Sequence, residues 1–295
     1  MRHAWRRFQA CGNDNFDLGF YVRVVWGMAN GDRVNSIVGA PDLGLHMMPA
    51  MVLFVPLAWI LPIPGTLLAA QAMAIGGVAP LLYRLGRRVT GAGWVGLALA
   101  AAWCLHPSVL QAGCREFHPG SLALPAIVAA LDALHARRTL EGAVLLLVAT
   151  TTREDVALVA AAAGLAVALD ADRRWAGLGV AAAGLAWFLG YVLLLQPSFL
   201  PGSGSMEAHF SGWGHDAGGV MAHMASHPVE VMSRMLGARD LAYVSLLLAS
   251  VAFLPVLAPR WSIAALPAIA INVVSSFRAA TSLESHYVTL ALPGL

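Results

Sequence analysis

Long apolar runs separated by short polar turns recur along most of the chain. A helix that crosses the hydrocarbon core of a bilayer needs about 20 mostly apolar residues, and runs of roughly this length recur downstream of residue 64. The pattern predicts membrane spans at 65–84, 93–110, 121–136, 140–152, 155–171, 176–196, 240–258 and 261–277. The predicted fold class is therefore all-α, a polytopic transmembrane helix bundle of about eight spans.

The segment 46–62 is as apolar as these spans but is interrupted by proline. Its prolines are Pro49, Pro56 and Pro62. Proline lacks the backbone donor and clashes with the preceding turn, so three of them prevent a regular helix. We therefore predict a re-entrant or juxtamembrane element on the outer face. This divides the chain into an outer-face segment, 1–64, and a helix bundle, 65–295, with an outer loop at 197–239.

Arginines in short loops set the predicted orientation, because cytoplasmic loops are enriched in basic residues. The cytoplasmic set is Arg84, Arg87, Arg88, Arg137, Arg138, Arg173, Arg174 and Arg260. The short outer loops then hold Arg115, Arg153 and Arg278. With this topology most carboxylates and nine of the ten histidines lie outside. We expect a multi-pass membrane protein that acts at the outer face of its membrane.

The composition agrees with a membrane protein and excludes several other classes. Hydrophobic residues make up 59% of the 295 residues and charged residues 12%, whereas soluble domains carry about 25% charged residues. A net charge of +2 without a basic stripe argues against nucleic-acid binding. The three cysteines are unpatterned, which favours neither a disulfide framework nor a zinc ribbon.

Asp17 follows the polar stretch 12–16 and precedes Phe20–Asn30, which can form an amphipathic surface helix. Two interpretations of Asp17 are open. Its carboxylate can cap the helix by accepting backbone N–H groups, or it can act at the membrane surface as a base or metal ligand.

Three further polar groups lie in predicted outer turns. They are Arg115-Glu116-Phe117-His118, Arg153-Glu154-Asp155 and Glu284-Ser285-His286-Tyr287. Each can simply hydrate a turn, and Arg153 can pair with its own acidic neighbours. Alternatively Arg153 points into an outer cavity and binds a phosphate, for which the planar guanidinium is well suited. Glu116/His118 and Glu284/His286 share a spacing that also occurs by chance, so it is weak evidence for a metal.

The chain resembles the bacterial and archaeal predicted membrane proteins of domain of unknown function 2079. The resemblance rests on short motifs in matching order, which are Asp17-Leu18-Gly19, Leu45-His46 with Pro49, Phe117-His118-Pro119, Glu154-Asp155, His227-Pro228, Leu254-Pro255, Ala258-Pro259 and His286-Tyr287. Members of that family usually carry one more helix before these motifs and further helices after them. We therefore expect the chain to lack a first helix and later ones.

That family in turn looks like a distant relative of the type-C glycosyltransferases, which use polyprenyl-phosphate-linked sugars. The resemblance implies that Asp17 corresponds to an essential acidic residue of the first outer loop, and that Arg153 faces the donor phosphate. One departure is Val22, where the family tends to carry a second acidic residue.

These observations lead to three functional hypotheses. The first is a glycosyltransferase-like enzyme in which Asp17 acts as the base. Its expected partners are the lipid bilayer and a polyprenyl-phosphate-linked sugar. Its substrate- or phosphate-binding candidates are Arg115, Glu116, His118, Arg153, Glu154, Asp155, His286 and Tyr287. No cofactor is assigned, although Asp17, Glu116 and His118 are candidates to hold a divalent metal. The other hypotheses are a transporter or flippase, and a non-catalytic membrane assembly protein.

Overall fold

The computed structural model of the chain describes residues 2–10, 16–201 and 209–295. These residues are largely helical, and β structure among them is confined to one antiparallel pairing of Val34–Asn35 with Ala40–Pro41. The prediction of an all-α fold is confirmed. The chain divides into two compact units, of which the first comprises Met1–Asp42 and Met48–Val156, and the second comprises Leu43–Met47 and Ala157–Leu295.

The first unit is built from helices of very different lengths. They are α1 (Arg2–Gln9), α2 (Phe16–Asn30), a 3-10 helix (Pro49–Phe54), α3 (Val55–Ala58), α4 (Ile63–Thr90), α5 (Gly93–Leu105), α6 (Pro107–Cys114), α7 (Gly120–His135) and α8 (Thr139–Thr150). Gly91 ends α4 in the left-handed conformation, where glycine meets no Cβ clash.

The second unit contains one long helical stretch and many short ones. Its α-helices are Asp42–Leu45 at the boundary, α9 (Val156–Ala168), α10 (Arg174–Gly190), Gln196–Phe199, α11 (Ala217–Ser226), α12 (Pro228–Met235), α13 (Ala238–Ser250), Pro259–Ser262 and α14 (Leu266–Val274). A π-helical turn, Tyr191–Leu195, follows α10, and 3-10 turns at Ala171–Arg173, Leu254–Leu257, Ile263–Ala265, Arg278–Thr281, His286–Val288 and Leu292–Gly294 connect or follow the others.

Within the described ranges, two helices are long and apolar enough to cross a membrane. These are Ile63–Thr90 and Ala171–Phe199. A third candidate arises if α5 and α6, which meet at a bend of 53°, form one broken span. The other apolar helices have 10–17 residues. The structure therefore supports two or three spans by length and does not confirm the predicted eight.

The proline-rich segment is broken, as its three prolines predict. Pro49–Phe54 is a 3-10 helix, Val55–Ala58 is a single α-helical turn, and regular helix resumes only at Ile63. The backbone N–H of Ala50 donates to Thr151 O at 2.9 Å, so this segment is tied to the end of α8 within the first unit.

Close backbone packing joins α4 to α5. A Cβ built on Gly86 would lie 2.9 Å from the Cα of Gly96, and one on Gly96 would lie 2.3 Å from the carbonyl oxygen of Tyr83. Small residues permit this approach, which is a common way for membrane helices to associate. The indole N–H of Trp103 adds a buried hydrogen bond to Ile75 O at 2.9 Å.

An arginine cluster lies at the C-terminal end of α4, which carries Arg88. The Asp132 carboxylate, of which 2% is exposed, pairs with Arg88 at 2.5 Å, Arg84 at 3.2 Å and Arg138 at 3.7 Å. In the second unit Asp170 likewise binds Arg260 at 2.6 Å and also pairs with Arg173. Each acidic residue therefore gathers arginines that the loop distribution had assigned to one side of the membrane.

Candidate functional site

The site begins at the first turn of α2. The backbone N–H of Leu18 donates to Glu116 Oε2 at 3.0 Å, and Glu116 is buried. The first N–H groups of a helix have no partner within the helix, so this carboxylate satisfies one of them from the α6–α7 loop. Asp17 itself lies in the first turn of the helix.

Gln71 of α4 fixes the loop that carries Glu116 and His118. Its side-chain amide donates to Ala112 O and to Glu116 O, both at 2.8 Å, and its Oε1 accepts the backbone N–H of His118 at 2.7 Å. Gln71 is 1% exposed, so these bonds form away from water. Buried hydrogen bonds of this kind define one geometry for the loop.

Asp17 and His118 come together across this framework. His118 Nε2 lies 3.9 Å from Asp17 Oδ2, with 8% of the imidazole side chain and 43% of the aspartate side chain exposed. A buried imidazole therefore stands beside a carboxylate that solvent or a ligand can reach. Gly12, Asn13, Asp14 and Asn15, from the same polar stretch, lie outside the described residues.

Phe117 connects this pair to the second polar group. Its fully buried ring packs edge-on against Tyr21 at 5.4 Å between centroids and against Phe54 at 6.2 Å. Tyr21 also lies near enough to Arg153 to act on its charge. The turn 151–155 and the α6–α7 loop therefore border a common aromatic cluster.

Arg153 pairs with Asp155 through two contacts, one of them Nε to Oδ1 at 2.8 Å. Burial by itself would lower the pKa of Arg153, but Asp155, and to a smaller extent Glu154 and Tyr21, raise it above its ordinary value. The guanidinium thus keeps its charge with 17% of the side chain exposed. This local pairing is one of the two alternatives that the sequence left open.

Arg115 differs from its neighbours because it is exposed. Its Nε donates to Gln111 Oε1 at 3.1 Å along the same helix. Two polar atoms of the loop region are buried without a hydrogen-bond partner, namely Glu116 Oε1 and Ser121 Oγ. Buried polar atoms are usually paired, so these two atoms are places where a bound polar group or water would gain hydrogen bonds.

A metal site is not assembled by the described side chains. Among them no three His, Cys, Asp or Glu residues lie close enough together to hold a metal ion. Of the candidate metal ligands Asp17, Glu116 and His118, Glu116 instead accepts a hydrogen bond from the N-terminus of α2.

His286 and Tyr287 belong to the second unit, where they join an aromatic group. Their rings lie 4.0 Å apart, and the Tyr287 ring lies 5.6 Å from that of His209 and 6.0 Å from that of Phe277. Asn272 donates to Tyr287 O at 3.2 Å and to the Tyr243 hydroxyl at 3.0 Å. These two candidates therefore have a defined, mainly aromatic setting of their own.

Comparison with known families matches this chain over almost its whole length. The family model described as "Predicted membrane protein (DUF2079)", in which DUF stands for domain of unknown function, matches residues 13–295. The chain belongs to this family. It is thus a member of a predicted membrane protein family, and its helical, apolar architecture agrees with that description. No curated protein and no solved structure matches it.

Two residues that organise the first unit were not among the sequence candidates. Gln71 is one polar residue inside an apolar span, a signal that marks either a helix-packing bond or a functional group. Asp132 carries the same signal, and the clustering of arginines at loop ends pointed to its partners. Both residues stand out in the sequence, but only the fold shows which groups their side chains bind.

Proposed function

We propose that this protein is a glycosyltransferase-like enzyme of a prokaryotic cytoplasmic membrane, which transfers a sugar from a polyprenyl-phosphate donor at the outer face. The observation that carries the proposal is the pairing of the half-exposed Asp17 carboxylate with the buried imidazole of His118, 3.9 Å away. A carboxylate oriented by a second titratable group suits proton abstraction from a hydroxyl.

The proposed reaction is a displacement at the anomeric carbon of the donor sugar. Asp17 takes the proton of the acceptor hydroxyl while that oxygen bonds to the anomeric carbon. The bond from this carbon to the phosphate oxygen breaks, and polyprenyl phosphate leaves with the electron pair. His118 is a positioning residue, because its imidazole faces the carboxylate at 3.9 Å and its backbone N–H is bound by Gln71.

The proposed phosphate-binding groups are Arg153 and Arg115. Fixed positive charge placed where negative charge develops is often the largest contribution to catalysis. Arg153 would exchange part of its contact with Asp155 for the phosphate, while Arg115 is already exposed. Glu154, Asp155 and Glu116 stay in the proposal as residues that position these cations.

The proposed topology keeps about eight spans, an outer-face segment 1–64 and an outer loop at 197–239. Its placement of the His118 loop and the Asp132 arginine cluster on opposite faces is supported by the arrangement of groups along α4. Gln71 and Arg88 lie on this helix about 25 Å apart, given a rise of 1.5 Å per residue. The His118 loop thus binds near one end of a membrane-length helix and the Asp132 arginine cluster lies near the other.

Binding of the donor lipid is the first test. The purified protein would be analysed by native mass spectrometry after incubation with a synthetic polyprenyl phosphate. We expect a bound lipid at an occupancy that Arg153→Ala reduces, while the control Arg234→Ala leaves it unchanged. No retained polyprenyl phosphate in the wild type would contradict the proposal. That result would favour one of the two alternative hypotheses, a transporter of another substrate or a non-catalytic assembly protein.

A further inference from the structure

The end of α4 that carries Arg88 holds more positive charge than its acidic residues neutralise. Residues 80–105 and 121–145, all of which the structure describes, contain five arginines and two carboxylates. These are Arg84, Arg87, Arg88, Arg137 and Arg138, with Asp132 and Glu141. The arginines lie in the last turns of α4 and in the turn between α7 and α8.

The buried Asp132 carboxylate holds three of these guanidinium groups in place. Arg88 also donates to the backbone oxygen of Asp132 at 2.7 Å, and Arg138 pairs with Glu141 at 2.7 Å. The arginine side chains nevertheless stay accessible, with 58% of Arg84 and 47% of Arg138 exposed. Each guanidinium carries five N–H donors, so one carboxylate leaves most of these donors for another acceptor.

Aromatic side chains mark the same end as the edge of the bilayer. Trp94 is 75% exposed at the start of α5, and Tyr83 is exposed one turn before Arg87. The Tyr83 hydroxyl would lie 3.7 Å from a Cβ on Gly93, which places this ring beside the turn between the two helices. Exposed Trp and Tyr side chains concentrate at the level of lipid headgroups.

We propose that Arg84, Arg87, Arg88 and Arg138 form a binding site for the headgroup of an anionic phospholipid. The phosphodiester oxygens would accept from the guanidinium forks, whose planar geometry suits phosphate. The acyl chains would lie along the apolar surface beside Trp94 and Tyr83. Asp132 is the positioning residue, since it fixes the guanidinium groups before the lipid arrives.

The test compares lipids that differ in charge. Full-length protein in nanodiscs of phosphatidylcholine with 25% phosphatidylglycerol would be released and its retained lipids counted by native mass spectrometry. We expect the ratio of phosphatidylglycerol to phosphatidylcholine among the lipids that the wild type retains to exceed the ratio in the mixture by at least about tenfold. Retention of the two lipids in proportion to the mixture would overturn the site.

The variant Arg84→Gln/Arg87→Gln leaves Asp132 paired with Arg88 and Arg138, which favours folding. We expect it to lose most of the preference for phosphatidylglycerol. The matched control, Arg6→Gln/Arg278→Gln, removes the same charge elsewhere and is expected to keep the preference. Equal loss in both variants would overturn the site, since net charge alone would then explain retention. Displacement of the lipid by inorganic phosphate at equal concentration would likewise contradict a lipid-specific site.

Discussion

The N–H of Leu18 and the carboxylate of Glu116 form a hydrogen bond of 3.0 Å across 98 positions of sequence. This bond fixes the first turn of α2, and with it Asp17, against the α6–α7 loop. The loop is in turn fixed by Gln71. The half-exposed carboxylate of Asp17 is thus positioned by two polar side chains that are themselves buried.

Removing the acceptor from this bond should destabilise the first unit. Glu116→Leu keeps a similar volume but leaves the Leu18 N–H unpaired, and we expect it to lower the free energy of unfolding by about 1–3 kcal/mol. Glu116→Gln retains an acceptor oxygen and should cost less. Thermal unfolding in detergent would compare the two. A Glu116→Leu variant as stable as the wild type would contradict the role assigned to this bond.

Gln71 should matter more than its size suggests. Gln71→Leu would leave the His118 N–H and the carbonyls of Ala112 and Glu116 without their partner, and we expect a loss of at least about 2 kcal/mol. The control is Gln111→Leu, because the Gln111 side chain accepts a hydrogen bond from the exposed side chain of Arg115. Thermal melts of both variants in the same detergent test this. Equal melting temperatures would show that the buried amide does not anchor the loop.

The α4–α5 contact predicts opposite effects for two glycine substitutions. Gly96→Ala would place a Cβ 2.3 Å from Tyr83 O, so the helices would have to separate and stability should fall. Gly76→Ala meets no atom within 4 Å and should raise stability by about 0.5–1 kcal/mol through helix propensity. Both variants would be compared by thermal unfolding. Stabilisation by Gly96→Ala would contradict the packing.

The sequence predicts the features that neighbouring residues determine better than the contacts between residues that are far apart in the chain. Local rules were sufficient for the broken segment at Pro49–Ala58, for the helix that contains Asp17, and for the arginine-rich ends of the apolar helices. The predicted span 93–110 is instead divided at Pro107, where α5 and α6 bend by 53°. Pro107 indicates a break in the helix, but the continuous hydropathy of 93–110 led to the prediction of a single span.

Long-range pairing could not be derived from the sequence. From the sequence, Glu116 is a candidate for ligand binding. In the structure its carboxylate accepts a hydrogen bond at the N-terminus of α2. Hydropathy patterns do not show that this helix lies beside the α6–α7 loop. The sequence left open whether Arg153 pairs locally or faces a phosphate, and its bidentate partner is Asp155, two residues away. A charged side chain in an apolar setting takes the nearest counter-ion, and only the fold reveals which one that is.

Neutralising Asp170 should weaken the second unit. The Asp170 carboxylate accepts a hydrogen bond from Arg260 at 2.6 Å and also pairs with Arg173. Asp170→Asn removes the counter-charge of both guanidinium groups, so we expect it to lower the melting temperature. Thermal unfolding of the two proteins in the same detergent would measure this effect. An Asp170→Asn variant as stable as the wild type would contradict the assigned pairing.

The most direct test of the central proposal is transfer of the sugar itself. Purified protein in nanodiscs would be supplied with a synthetic polyprenyl-phosphate-linked hexose and a membrane extract as acceptor, and release of polyprenyl phosphate would be measured over time. We expect release by the wild type and by Glu230→Gln, a control in the second unit, and a loss of at least about a hundredfold in Asp17→Asn, which lacks the base. Release by Asp17→Asn at the wild-type rate, with both proteins folded, would show that Asp17 belongs to the helix terminus and not to a catalytic site.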